Sequence, residues 1–246
     1  PVPLKYYGAH TGRYSGGELL NLQNLPRIGK DPSSGRLRRA LVAPEGYSVI
    51  VSDLSNIEAR VLAWISGQTY LLDLYKEGGD PYLFMASKIY GFDYNEALPF
   101  KKTTYKHQRD VGKVSVLGLG YGMGKGKFWV TMNTGPMGMD PVPMTAIDAG
   151  IIVDTYRETN FAVVDYWGKC DQIISDMVAR KTGIKFGPLE LHGPNLIMPN
   201  NMALQYPNLR MLEDVRGMSF QYAPELTPRG DLKGRKYLWG GTLTEN

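Results

Sequence analysis

The sequence predicts an α+β fold, and three observations predict it. A β-branched apolar run lies near residue 50, a long middle shows helical spacing and helix punctuation, and the last quarter consists of short apolar runs broken by Gly, Pro and Asn. The coarse order is strand region, helical insertion, strand region, so a helical subdomain is carried on a sheet. With 246 residues, 43% of them hydrophobic, the chain can bury a sizeable core in one large or two modest domains.

Residues 1–27 read as a polar, glycine-rich connection, HTGRYSGGELLNLQNLPR. Its Arg13, Asn21, Gln23 and Asn24 offer guanidinium and amide donors suited to minor-groove acceptors or sugar-phosphate, or else a loop bonding its own backbone. GRLRR at 35–39 is a basic edge. Residues 47–53, YSVIVSD, predict a buried strand. Ser55 with Glu58 three residues later is a capping-box pattern opening a helix over 57–66, closed by Gly67. Asp53 thus falls where a strand turns into a helix, a position that aims a carboxylate and exposes it, although a plain turn residue fits there too.

Further helices follow over 69–77, stopped by Gly78 and Gly79, and over 81–91, with Asp80 as N-cap and Pro81 as the first helical residue. Lys101, Lys102, Lys106, His107 and Arg109 form the densest basic stretch of the chain. It leads into RDVGKVSVLGLGYG, residues 109–122, where Arg109, Lys113, Leu117 and Tyr121 stand four apart. On a straight helix such a spacing drifts by only about 40° per step, so all four share one face. Two cations one turn apart suit a triphosphate, and a tyrosine at the far end suits a base or sugar. The following GYGMGKGKF is not a P-loop, because no G-x-x-x-x-G-K-[ST] can be laid on it. Residues 132–144 read as a surface loop, 145–182 as a helical stretch broken near Thr159 and Asn160, and the remainder as strands and hairpins.

Composition narrows the function. A net charge of +4 and a pI near 9.0 allow a nucleotide or nucleic-acid partner. The single cysteine, Cys170, excludes an internal disulfide and fits a reducing, intracellular setting. No zinc pattern is present, and no apolar run approaches the roughly 18 residues of a membrane span.

These motifs, in this order, resemble the polymerase domain of the family A DNA polymerases (the DNA polymerase I family), in the form carried by phages. VSDLSNIEAR resembles the family's motif A, Arg109, Lys113 and Tyr121-Gly122 its motif B, and TGR with NLQN the segment that holds the primer-template. The resemblance implies a palm sheet carrying a helical fingers subdomain, incomplete at both ends: palm over 1–62, fingers over 63–190, and a return toward the palm over 191–246. It implies that Asp53 and the carbonyl of Leu54 hold two Mg²⁺ ions together with a second carboxylate. Arg109 and Lys113 would neutralise the incoming dNTP, with Tyr82 beside the triphosphate. Glu58 would exclude a 2′-hydroxyl, Leu117 would touch the nucleotide sugar where many relatives carry an aromatic residue, and Tyr121 would stack near the templating position. Arg13, Asn21, Gln23 and Asn24 would contact primer-template DNA, in the cytoplasm of a phage-infected bacterial cell.

Motif C of that family, a His-Asp-Glu on a hairpin, is not in these 246 residues, since none of His10, His107 or His192 is followed by Asp. No Asp-x-Glu pair marks a proofreading exonuclease, and nothing at the N-terminus resembles the thumb. The sequence therefore implies a part of a DNA polymerase that needs a second polypeptide bearing motif C. The alternatives are a non-catalytic nucleic-acid-binding fragment and a single-subunit RNA polymerase, the latter opposed by Glu58.

Overall fold

The computed structural model describes residues 3–6, 8, 13–17, 22, 25, 35–135, 140–215 and 217–246. They fall into two compact units, Pro1–Ser55 with Asn246, and Asn56–Glu245. In the first unit, β1 (Leu4–Lys5) pairs antiparallel with β2 (Ser15–Gly16), and α1 is a single turn, Arg36–Arg39.

The strand expected over 47–53 does not form. The run has no regular secondary structure, and Ile50 and Val51 are 91% and 85% exposed. A strand closes its backbone hydrogen bonds on a neighbour, whatever its own side chains favour. Among the described residues none pairs with this run.

The second unit begins with helices. α2 (Ile57–Ser66) ends at Gly67 in the left-handed conformation, as expected, but its N-cap is Asn56 rather than Ser55. Asn56 is itself left-handed, at φ 56°, and makes no side-chain cap bond, so the cap lies one residue past the expected Ser55 and is not a capping box. α3 (Thr69–Lys76) and α4 (Pro81–Tyr90) fall where punctuation placed them, with Asp80 capping α4 and left-handed Gly91 closing it. A short α5 (Tyr94–Ala97) and a 3₁₀ turn lead to α6 (Lys106–Val114).

α6 does not continue as a straight α-helix to Tyr121. Residues Ser115–Leu119 form a π-helical segment, and Gly122 then turns at φ 77°. Wider i→i+5 bonding breaks the four-residue register, so Leu117 is rotated off the line set by Arg109 and Lys113. It packs instead against the core. The freed carbonyl of Gly120 is satisfied from outside, by the indole N–H of Trp167 at 3.0 Å.

α7 (Lys125–Thr134) extends into the stretch expected to be loop. Val142, within that stretch, is buried and donates its backbone N–H to the Met132 carbonyl at 2.8 Å. α8 (Ala146–Thr159) and α9 (Phe161–Val178) meet at Asn160, the expected break. Polar side chains satisfy that break: Gln68 accepts from the Ala162 N–H, and the Tyr70 hydroxyl donates to Asn160 Oδ1 at 2.8 Å. Residues of α2, α3, α4, α6, α7 and α8 share one apolar core.

After α9 the chain is mostly β. β3 (Thr182–Phe186), β4 (Leu189–His192), β5 (Asn195–Ile197) and β6 (Ala203–Gln205) form an antiparallel meander. β7 (Arg210–Asp214), β8 (Gly217–Tyr222), β9 (Glu225–Leu226), β10 (Leu232–Lys233) and β11 (Lys236–Leu238) follow, with sheet orders β11-β8-β7 and β10-β9. The last helix is α10 (Gly240–Glu245). A second core joins α9, α10 and these strands. No helix among the described residues is long and apolar enough to cross a membrane.

Candidate functional site

The best-built polar constellation lies where α4 and α6 pack, and glycine permits it. A Cβ on Gly112 would stand 2.1 Å from the Tyr82 carbonyl oxygen and 3.0 Å from the Ala86 nitrogen, so the two backbones approach as only glycine allows. That approach sets Arg109, one turn earlier on α6, over the first turn of α4. Its guanidinium carbon lies 5.2 Å from the centre of the Tyr82 ring, within cation–π range.

Asp80 organises this corner with both carboxylate oxygens. Oδ1 accepts from the backbone N–H groups of Tyr82 and Leu83, each at 3.1 Å, which is the N-cap bond of α4. Oδ2 accepts from Arg109 Nε at 2.8 Å and faces Lys101 Nζ at 3.3 Å. The Asp80 side chain is only 5% exposed. Burial pushes its pKa upward, but the Arg109 hydrogen bond, the Leu83 N–H and the charges of Arg109 and Lys101 outweigh that, holding the carboxyl below its ordinary value. Because Asp80 takes the Nε side of the guanidinium, both Nη groups remain for an anion.

Tyr82 is buried and its hydroxyl donates to Asn56 Oδ1, tying α4 to the entry of α2. Burial, then the Asp80 charge, raise its pKa. It therefore acts as a neutral donor and a flat face. Lys113, one turn beyond Arg109, is half-buried and makes no hydrogen bond or ion pair with described residues. Arg109 and Lys113 thus present two cations one turn apart, one braced and one uncommitted.

Tyr121 stands half-buried at the far end of the π segment. Beside it, a 310 Å³ hollow is lined by Gly122, Arg157, Trp167, Asp171 and Trp239 among others. Glu58, in the first turn of α2, is exposed. Leu117 is part-buried against the helical core, as the π turn requires.

Asp53 and Leu54 lie in the other unit and are exposed, without regular structure. No group of three His, Cys, Asp or Glu side chains able to hold a metal exists among the described residues. One carboxylate and one carbonyl are a partial donor set for Mg²⁺, which takes one or two carboxylates plus phosphate oxygens at such sites. By themselves they do not seat two ions. Arg13 is described and exposed, whereas Asn21, Gln23 and Asn24 lie outside the described residues.

Sequence reasoning missed Asp80 as a partner of Arg109, having read it only as a helix cap. The available signal was a buried-type N-cap carboxylate, with one oxygen to spare, preceding a run of cations. It also missed Gly112, since close backbone approach leaves no trace in hydrophobic periodicity.

Known proteins resemble this chain along its length. A phage protein, the DNA polymerase of Bacillus phage SP02, is 28% identical over 281 aligned positions, covering 99% of this chain and 41% of its own length. The thermostable DNA polymerase I of Thermus thermophilus is 44% identical over 81 residues, 33% of this chain and 9% of that protein. Among solved structures, the POL domain of Pol1 from M. smegmatis, in complex with DNA primer-template and dNTP, aligns at a TM-score of 0.53 and 26% identity, covering 71% of this chain and 28% of that one. The chain spans less than half the length of these relatives. The sequence profile of DNA polymerase family A matches residues 4–182, and the chain, a mixed α+β protein resembling that POL domain, belongs to this family.

Proposed function

We propose that this chain contributes the dNTP-binding fingers and part of the palm to template-directed DNA synthesis, transferring a nucleotide from dNTP to a primer 3′-hydroxyl. The observation that carries the reading is the α4–α6 corner, where Arg109 is braced through Nε by buried Asp80, stacked on Tyr82, and followed one turn later by uncommitted Lys113. Two such cations gain most as negative charge moves onto the leaving pyrophosphate. In this reading the palm takes residues 1–62, the fingers 63–190, and 191–246 return toward the palm. Glu58 faces the sugar, whereas Leu117, packed against the helical core, no longer shares the nucleotide face, and Tyr121 with the hollow beside Trp239 receives the templating base. Arg13, Asn21, Gln23 and Asn24 meet the primer-template.

Asp53 and the Leu54 carbonyl supply half of a two-Mg²⁺ site, the other carboxylate coming from motif C outside these 246 residues, in a further stretch of the same polypeptide or in a second one. The reaction would run in the cytoplasm of an infected bacterial cell. A second reading, a fragment that binds nucleic acid without catalysis, is favoured by one observation: none of His10, His107 and His192 is followed by Asp, so these 246 residues hold no motif C pattern.

Primer extension with Mg²⁺ and four dNTPs separates the two. The proposal expects no synthesis by the 246 residues alone and synthesis when a polypeptide carrying motif C is added. No synthesis by the mixture, with dNTP binding intact, would favour the binding-only reading.

A further inference from the structure

The β region after α9 begins where the family match ends, at residue 182, and the stretch from Arg180, just past α9, through β11 holds the charge excess of the chain. Residues 180–238 carry nine Lys and Arg against five Asp and Glu, a surplus equal to the net +4 of the whole protein. In this region an open cleft of 830 Å³ runs between the end of α9 and strands β6 and β7, and its lining includes Arg180, Asn195, Gln205, Asn208 and Arg210. The charged residues lining it are both arginine. β6 and β7 are each the last strand of their sheet.

Arg180 is held there at a conformational cost. It directly follows the α9 C-cap in the left-handed conformation, φ 54°, with its N–H on the Met177 carbonyl at 3.1 Å. Glycine is the ordinary occupant of such a position. Its neighbour Lys181 is neutralised by Asp176 at 2.7 Å, whereas the Arg180 side chain makes no hydrogen bond or ion pair with described residues. Arg210 spends one Nη group on the Gly230 carbonyl at 3.2 Å, which steadies the guanidinium and leaves donors for another acceptor. A strained arginine, a braced arginine and three amides, of which Asn208 already donates to the Ala223 carbonyl, form a donor-rich, cationic surface with acceptors as its natural partners.

We propose that this cleft is a second nucleic-acid contact, outside the helical site, in which Arg180 and Arg210 grip backbone phosphates of a single strand while Asn195 and Gln205 meet its sugars or base edges. Open strand edges can also accept a peptide. The paired arginines and the local surplus of positive charge select the polyanion.

The test uses fluorescence anisotropy of a labelled oligo-dT of about 12 nucleotides, within the roughly 4–16 typical of single-strand sites, on the 246-residue chain over a range of salt. The double variant Arg180→Gly, Arg210→Ala is expected to bind at least about tenfold more weakly near 0.1 M salt, with a log K against log salt slope shallower by roughly 1.4, about 0.7 for each phosphate that is no longer neutralised. Arg180→Gly alone should raise or preserve the melting temperature, because glycine suits the left-handed position, so weaker binding cannot be blamed on misfolding. The charge-matched control Lys185→Ala, Arg229→Ala, outside the cleft lining, should stay within about twofold of wild type. Equal weakening in that control, or an unchanged slope in the cleft variant, would overturn the proposal. So would inorganic tripolyphosphate competing as tightly as the oligonucleotide, which marks a small-anion site. Lys113→Ala, read in parallel with dNTP, touches only the helical site, so failure there leaves the cleft result standing.

Discussion

Residues 106–121 and 47–54 each set an apolar run beside charged residues read as functional, and they come out differently. α6 closes its backbone hydrogen bonds within itself and buries Val111, Gly112 and Val114. The run containing Val49, Ile50 and Val51 leaves all three mostly exposed and closes no ladder. A helix is a local object that its own sequence can complete. A strand is a statement about a neighbour, and no described residue answers it here. The cations proposed to meet the nucleotide therefore sit on an element this chain completes by itself, whereas Asp53, proposed to meet the metal, does not.

The largest effect expected is at the close approach that makes the α4–α6 corner possible. Gly112→Val would drive methyl groups into the Tyr82 carbonyl and the Ala86 nitrogen, both backbone atoms that cannot swing away. We expect a loss of about 3 kcal/mol or more, at the upper end of overpacking effects, seen as a lowered urea midpoint. Stability unchanged from wild type would mean that α4 and α6 are not held backbone to backbone.

That dependence explains what could be read in the sequence. Helices α3, α4, α8 and α9 were legible because Gly78, Asp80, Gly91 and Asn160 punctuate them, and local geometry does the rest. That Arg109 and Lys113 lie one turn apart on a helix was legible from spacing. The π segment was not, and the bond that meets the Gly120 carbonyl at its end comes from Trp167, far along the chain, where helical spacing gives no sign of it. The double use of Asp80 was hidden for the same reason: Arg109 lies 29 residues away, and only packing brings them together.

Asp80 tests the braced half of the comparison. Asp80→Ala removes the α4 cap and the Arg109 and Lys101 partner together, and should cost about 2–3 kcal/mol. Asp80→Asn keeps a capping oxygen and loses only the charge, so it should retain about 1 kcal/mol of that. The pH dependence follows from the sign of the shift. Because the folded carboxyl is held below its ordinary value of 3.8, the stabilisation is complete above that pH and drains away as pH falls through the folded value. The gap between wild type and Asp80→Asn should therefore close on acidification below about pH 4. A gap that stays constant would remove the ion pair from the account.

Lys113 sharpens the distinction between braced and uncommitted charge. Lys113→Ala breaks no hydrogen bond or ion pair with described residues, so stability should move by less than about 0.5 kcal/mol. Affinity for dNTP, measured by calorimetry on the isolated chain, should fall about tenfold, the weight of one charge-assisted bond to phosphate. Unchanged affinity would leave Lys113 as a solvated surface charge.

The smallest effect belongs to the strand that does not form. Ile50 is 91% exposed, so Ile50→Thr in the chain alone should change stability by less than about 0.5 kcal/mol, while Val111→Thr, placing a hydroxyl in a fully buried position, should cost about 1–3 kcal/mol. The two positions differ in neighbours, not in side-chain chemistry, and supplying a neighbour should erase the difference. With a motif C polypeptide bound, Ile50→Thr should weaken the complex by about 1–2 kcal/mol, roughly the cost of a newly buried methylene or hydroxyl, and the backbone amides of 49–52 should gain hydrogen-exchange protection. If the amides stay unprotected and Ile50→Thr stays silent in an active mixture, the apolar run is not completed by the segment that carries motif C, and Asp53 must be held in place by its following turn alone.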